Sequence, residues 1–126
     1  MTKRIIVFTL VLLVILATLS TSFAMQPYSS NGTCSISKSG NTISYSGNTR
    51  STVTENTIRI SITLKRLVSG QWQTVDSTSA SKQSATSVSA SDSCNVASGY
   101  YYKVFATHYT TSQGTLYSES NQVWVG

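Results

Sequence analysis

Side chains that catalyse acid–base or nucleophilic chemistry are scarce in this sequence of 126 residues. It contains one histidine, His108, and four carboxylates, which are Glu55, Asp76, Asp92 and Glu119. A glycosidase needs two carboxylates that face each other across a cleft, and no pattern in the sequence places two of these together. A serine–histidine–acid triad is formally available because serine is abundant, but the Gly-x-Ser-x-Gly motif is absent. We therefore predict that the protein is not an enzyme.

Charged residues are also few, at 10% of the chain, and the basic ones are scattered. Residues 25–126 contain seven Lys and Arg against four Asp and Glu, which gives a net charge of +3. A nucleic-acid-binding domain carries its basic residues in a patch or stripe, so no nucleic-acid partner is expected. The charge implies at most a mild attraction to anionic surfaces such as a bacterial cell wall.

Long hydrophobic runs are absent except at the N terminus. Two basic residues precede an uncharged run from Ile5 to Leu19, and Ser22 and Ala24 supply the small residues that a signal peptidase recognises. This pattern predicts a cleavable, helical signal peptide over residues 1–24 and one secreted domain over residues 25–126. The run of about 15 residues is shorter than the ~20 that span a bilayer. We therefore expect an extracellular protein without a membrane attachment after cleavage, and an uncleaved N-terminal anchor is the alternative.

Only two cysteines are present, Cys34 and Cys94. The chain has one histidine in addition to these two cysteines, which is too few ligands for a usual zinc site. Neither a metal nor another cofactor is therefore expected. A cysteine nucleophile would need a neighbouring base. An even pair in an exported protein predicts a disulfide. A disulfide that closes the loop between Cys34 and Cys94 would stabilise the fold by roughly 4 kcal/mol.

The remaining sequence has the composition and the period of β-strands. Ser and Thr exceed a third of residues 25–126, and no segment there repeats apolar residues at helical spacing. The clearest strand is Thr57–Lys65, where Ile and Leu alternate with polar residues at period two. A second is Tyr100–Tyr109, with Tyr102, Val104 and Ala106 on the face that suits a core.

Weaker strand signals lie on both sides of these two segments. Thr33–Ser37 and Thr42–Ser46 flank a Ser-Gly-Asn turn and predict a hairpin. Gln71–Ser77 and Leu116–Val125 are further strands, whereas Thr78–Ser93 is either an edge strand or a mobile loop. Seven short strands at this spacing predict a single antiparallel two-sheet β-sandwich.

The order of these features from Ile58 to Val125 resembles the second part of a fibronectin type III domain. An alternating apolar strand leads to a turn at Gly70, a strand with Trp72, and a Tyr-x-Tyr-x-Val-x-Ala strand from Tyr100 to Ala106. The resemblance implies a fibronectin type III or immunoglobulin-like sandwich.

Nearly the whole of residues 25–126 also resembles a family of small secreted proteins of Gram-positive Firmicutes whose function is unknown. The most specific shared segment is Gly-Tyr-Tyr-Tyr-basic-Val-x-Ala-Thr-His, which here is Gly99–His108. This resemblance implies origin and fold, and no activity comes with it.

One aromatic strip is the candidate for a binding surface. If Tyr102 and Val104 face the core, Tyr101, Lys103 and Phe105 face outward, and a turn near Ser112-Gln113 places Trp124 opposite Tyr101. Such a strip can stack on sugar rings or anchor a protein partner. Alternatively, its aromatic pairs only stabilise the sheet.

These observations favour a secreted, non-catalytic binding or structural module that acts at the cell surface or in the medium. Its expected partner is a cell-wall glycan or another extracellular protein. The alternative is a small secreted effector, such as a bacteriocin-like toxin or an enzyme inhibitor, which fits the size and positive charge equally. The lack of an amphipathic cationic helix argues against membrane lysis.

Overall fold

The computed structural model describes residues 29–126, which form six β-strands and no helix. The strands are β1 (Ser30–Ser39), β2 (Thr42–Val68), β3 (Gln71–Asn95), β4 (Tyr100–Thr110), β5 (Gly114–Glu119) and β6 (Val123–Val125). The all-β, antiparallel fold expected from the sequence is confirmed. The signal peptide predicted over residues 1–24 lies outside the described residues.

All six strands belong to one sheet with β2 at its centre. The sheet runs β1-β2-β4-β5, with β3 paired to β2 and β6 paired to β4. The N-terminal part of β2 pairs with β1 and with the end of β3, and its C-terminal part pairs with the start of β3 and with β4. We call these two parts of the sheet the first half and the second half.

The sheet curls so that its two halves face each other. β1 lies against β4 and β5 although it forms no backbone ladder with either strand. Where β2 and β3 pass between the halves, Arg50 lies opposite Ser87 and Glu55 opposite Ala85, so β2 has three more residues than β3. Extra residues on one strand bend a sheet and increase its twist. Ser84 has a φ of 51° at the same place on β3.

The hydrophobic core fills the space between the halves. The second half supplies Ile58, Ile60, Ile62, Leu64, Tyr102, Val104 and Ala106, and the first half supplies Ile43, Tyr45, Val88 and Ala90. The halves approach closely at Gly47, where an added Cβ would lie 2.7 Å from Cδ1 of Ile60 and 3.0 Å from Cδ1 of Ile62. Only glycine fits at this position without displacing the isoleucines.

The strands are fewer and longer than the sequence predicts. The predicted strand Thr57–Lys65 is the C-terminal part of the 27-residue β2, and Thr78–Ser93 belongs to the 25-residue β3. The two separate sheets that the sequence predicts are joined in residues 29–126 into one continuous curled sheet.

The predicted disulfide is not formed: Cys34 and Cys94 are both free thiols. Cys34 lies opposite Gly47 and Cys94 opposite Ile43, on the two different sides of β2. The Cα atoms of Cys34 and Cys94 are therefore separated by two interstrand spacings across the sheet and by four residues along the strand direction. Together these displacements put the two atoms about 16 Å apart. A disulfide requires less than about 7 Å.

We expect mass spectrometry to find two alkylated cysteines per chain after unfolding without a reductant. Burial raises the pKa of the Cys34 thiol and of the Cys94 thiol. Because the thiolate is the reactive form, the folded protein should react with iodoacetamide several-fold more slowly than the unfolded one. An unfolded, unreduced chain without carbamidomethyl groups would contradict the two-thiol structure.

Candidate functional site

The predicted strip lies on the outer face of the second half, the face turned away from the core. The structure pairs Tyr101 with Trp124, as predicted, although the register on β4 shifts by one residue between β5 and β6. Their ring centroids are 4.9 Å apart, with 57° between the ring planes. Tyr101 is 41% exposed and Trp124 is 46% exposed, so both rings present apolar surface to solvent. The side chains at this end of the strip are available for contact.

The other two residues of the strip are more enclosed. Phe105 makes an edge contact with Trp72, with ring centroids 5.6 Å apart, and Nζ of Lys65 lies 5.0 Å from the Phe105 centroid. Nζ of Lys103 lies 2.5 Å from Oε2 of Glu119 and 5.3 Å from the Phe105 centroid. Lys103 and Phe105 are therefore half-buried in a cluster of side chains on the outer face. The contacts within this cluster stabilise the sheet.

The outer face extends beyond the predicted strip. Trp72 and Lys65 join it because their strands bring them beside Phe105. Towards the other end of β4, the guanidinium of Arg59 lies 4.9 Å from the Tyr109 ring centroid. Tyr117 is 80% exposed. We call the whole set the outer aromatic face: Trp72, Tyr101, Phe105, Tyr109, Tyr117 and Trp124, with the charged residues Arg59, Lys65, Lys103 and Glu119.

A polar network between the halves holds His108, which is 1% exposed. Its Nδ1 lies 2.7 Å from Oγ1 of Thr49, and its Nε2 lies 2.7 Å from Oγ of Ser118. Since the Thr49 hydroxyl donates to the carbonyl oxygen of Arg59, the Nδ1–H of His108 donates to Thr49 and its Nε2 accepts from Ser118. The sequence does not reveal this network, because its members come from distant strands.

Cys34 adjoins this network, with its Sγ 3.3 Å from Oγ of Ser118. Burial lowers the pKa of His108 and raises the pKa of Cys34, so both groups are neutral at pH 7. A nucleophilic cysteine needs the opposite shifts, which would favour a thiolate beside an imidazolium. The network therefore stabilises the fold and does not activate the thiol.

The four carboxylates have separate partners. Buried Glu55 accepts hydrogen bonds from Oγ of Ser51 (2.7 Å), from the backbone N of Ser112 (3.0 Å) and from Oγ of Ser112. Hydrogen bonds from Ser112, then Ser51, lower the pKa of Glu55 and attach the β4–β5 turn to β2. Asp76 accepts from the Tyr45 hydroxyl, Asp92 from the backbone N of Ser93, and Glu119 pairs with Lys103.

Two further classes of site are not found in the part of the chain that the structure describes. No three His, Cys, Asp or Glu side chains within residues 29–126 lie close enough to hold a metal ion. Across the same residues, no helix has the length and apolar character that crossing a membrane requires.

Comparison with known proteins adds little to this geometry. No family model matches the chain, and no curated protein is significantly similar to it. Among solved structures, the crystal structure of Spo0M, a sporulation control protein from Bacillus subtilis, is similar over 79% of this chain and 49% of that chain. The sequence identity is 6% and the TM-score is 0.42. This chain spans about half the length of Spo0M, and a likeness at this level carries no conclusion about function.

Proposed function

We propose that this protein is a secreted, non-catalytic module that binds a cell-wall glycan or another extracellular protein through its outer aromatic face. The proposal includes cleavage of the signal peptide after residue 24. It also includes a structural relationship of the domain to fibronectin type III and immunoglobulin-like sandwiches. The observation that carries it is the exposed pair of Tyr101 and Trp124, whose ring centroids lie 4.9 Å apart on an open sheet face.

Exposure of these rings favours a binding role over a purely structural one. Large apolar side chains gathered on one surface are typical of interaction sites, and Tyr and Trp are enriched there because they combine apolar area with a polar atom. Stabilisation of the sheet alone accounts better for Phe105 and Trp72, which are partly covered. The strip therefore divides into an exposed pair and an enclosed cluster.

A non-catalytic role is supported by the state of the reactive groups. His108 is enclosed by two hydroxyl partners, and each of the four carboxylates has its own separate partners. Acid–base catalysis needs a group that can reach a substrate and exchange its proton. Buried His108 and buried Glu55 do not reach solvent, and the exposed carboxylates Asp92 and Glu119 are not paired with a second catalytic group.

We expect Tyr101→Ala and Trp124→Ala each to weaken binding to insoluble Gram-positive cell-wall material by about 1–3 kcal/mol. The thermal midpoint should stay nearly unchanged, because half-exposed side chains contribute little to the core. Phe105→Ala should instead lower stability by about 0.5–1.5 kcal/mol through lost contacts with Trp72. Co-sedimentation and thermal unfolding measure the two effects separately.

The matched control is Tyr100→Ala, the same change one residue away. The Tyr100 ring packs against Tyr102, at 6.4 Å between centroids, and under Arg66. This change should reduce stability and leave wall binding of the folded protein intact. If Tyr101→Ala and Trp124→Ala bind as well as the wild type, the outer aromatic face is not the binding site.

A further inference from the structure

We propose that the outer aromatic face binds an extended anionic glycan, laid along β4 with its rings on the aromatic side chains and its acidic groups beside the basic ones. This inference rests on the proposed binding function and specifies the chemistry of the ligand. Its basis is the spacing of the aromatic rings, the charge of the face and the hydroxyl groups between the rings.

The aromatic rings of β4 recur at a fixed interval. Tyr101, Phe105 and Tyr109 are four residues apart on one face of one strand, so their Cα atoms are spaced by about 13 Å. Each ring has a partner beside it: Trp124 at Tyr101, Trp72 at Phe105 and the Arg59 guanidinium at Tyr109. The exposed pair of Tyr101 and Trp124 is the main stacking position, and the partly covered rings of Phe105 and Tyr109 continue the line along the strand. A line of rings matches a ligand that repeats along its length, which is a polymer.

The charge of this face favours an acidic polymer. Arg59, Lys65 and Lys103 lie within 5.3 Å of the Tyr109 or Phe105 ring centroid. Glu119, which is already paired with Lys103, is the acidic group among the residues of the outer aromatic face. Cations held over rings keep free N–H donors that can bind carboxylate or phosphate oxygens. The excess of two positive charges is therefore placed between and beside the stacking positions.

Hydroxyl groups occupy the gaps between the rings. Ser61 and Thr107 face each other across β2 and β4, and Thr63 lies opposite Phe105. Together with Arg59 and Tyr109, Ser61 and Thr107 line an open hollow on this face. Hydroxyls that both donate and accept suit the ring hydroxyls of a sugar. An open face also fits an extended chain better than a small molecule, which is usually enclosed in a pocket.

Single-stranded nucleic acid is the competing ligand, since it also combines stacking rings with negative charge. Nucleic-acid binding depends on contacts with many phosphates and therefore on a dense basic surface. The outer aromatic face has three basic side chains, one of them neutralised by Glu119. The excess charge is small and the hydroxyl content is high, which favours the glycan.

The test compares four probes by affinity electrophoresis or calorimetry with the purified protein. Carboxymethylcellulose is an anionic glycan, and hydroxyethylcellulose has the same backbone without the charge. Poly-L-glutamate supplies charge without sugar rings, and oligo-dT represents single-stranded nucleic acid. We expect carboxymethylcellulose to bind about tenfold or more tightly than each of the other three at about 0.05 M NaCl. The preference over hydroxyethylcellulose should shrink at about 0.5 M NaCl, where the charges are screened.

The double variant Lys65→Gln/Lys103→Gln should lose about tenfold in affinity for carboxymethylcellulose at low salt. It should bind hydroxyethylcellulose as the wild type does. The matched control is Arg50→Gln/Lys82→Gln, which removes the same charge from exposed positions outside the outer aromatic face. This control should retain wild-type affinity, and a loss equal to that of the first double variant would overturn the site assignment. Trp124→Ala should weaken binding to both glycans.

The outcomes separate this inference from the proposed function. Equal, salt-independent binding of the two glycans that still depends on Trp124 would overturn the anionic preference and keep the binding module. Binding of oligo-dT or poly-L-glutamate as tight as that of carboxymethylcellulose would overturn the glycan. Failure of both glycans to bind would also overturn it, and the cell-wall experiment with Tyr101→Ala and Trp124→Ala would then decide the proposed function independently.

Discussion

Gly32→Ala is expected to lower the free energy of unfolding by about 3 kcal/mol, near the upper end of overpacking effects. A Cβ at this position would lie 2.2 Å from both Cγ and Cδ2 of His108 and 2.6 Å from its Nδ1. The imidazole cannot move away easily, because His108 is held at both nitrogens by Thr49 and Ser118. Either β1 moves outward from β4 or the imidazole loses its hydrogen bonds in a buried site. Urea unfolding at pH 7 measures the change.

Thr33→Ala is the control for this prediction, since Thr33 is the exposed neighbour of Gly32 on β1. It should change stability by less than about 0.5 kcal/mol, as surface substitutions usually do. The cause is tested by combining Gly32→Ala with His108→Ala, which removes the ring that the new methyl group meets. The double variant should then lose less free energy of unfolding than the sum of the losses in the two single variants. Strict additivity would mean that Gly32 is required for some reason other than the imidazole.

The parts of the fold that the sequence predicts well are those with strong local signals. The alternation of Ile58, Ile60, Ile62 and Leu64 determines which face of β2 is buried, and the structure has all four in the core. The Ser39–Thr42 turn closes the β1–β2 hairpin as predicted. The length of β2 is not predictable in this way, because Ser51–Thr54 contains no Gly, Pro, Asn or Asp to mark a break and its bulge depends on pairing with β3.

The candidate surface shows the same division between local and non-local information. Alternation along β4 puts Tyr101, Lys103 and Phe105 on one face. Trp124 lies beside Tyr101 as predicted, but the turn alone does not place it there, because the register on β4 shifts by one residue between β5 and β6. Trp72 was not predicted there because its contact with Phe105 depends on the registers of β3 with β2 and of β2 with β4. A disulfide inferred from the number of cysteines has the same weakness. Composition indicates a pair, but register decides whether the two sulfurs can meet.

Glu55→Ala is expected to lower the free energy of unfolding by about 3 kcal/mol at pH 7. Each hydrogen bond to a charged group contributes about 1.5–3 kcal/mol. Water that enters the space left by the side chain and bonds to the freed donors offsets part of the loss. The carboxylate is 2% exposed and accepts from Ser51 and twice from Ser112. Without it, the backbone N–H of Ser112 and two hydroxyls lose their acceptor, and the β4–β5 turn loses its attachment to β2. Urea unfolding gives the size of the loss. Hydrogen exchange at Ser112 should rise specifically, whereas a rise spread over all strands would mean that Glu55 supports the core and not the turn.

Glu55→Gln separates the charge from the shape of this side chain through pH. Hydrogen bonds lower the pKa of Glu55 in the folded protein, so its stabilisation is complete above the unfolded pKa of about 4.5 and is lost as pH falls through the folded value. The variant should therefore be less stable than the wild type at pH 7, and the difference should shrink below about pH 4 as the wild-type carboxyl becomes protonated. Titration of His108 lowers the free energy of unfolding of both proteins at a higher pH than titration of Glu55 does. Burial lowers its pKa, so the unfolded chain takes up its proton first as pH falls below about 6.5. A stability difference between the two proteins that is constant from pH 7 to about pH 3 would show that the charge of Glu55 contributes nothing.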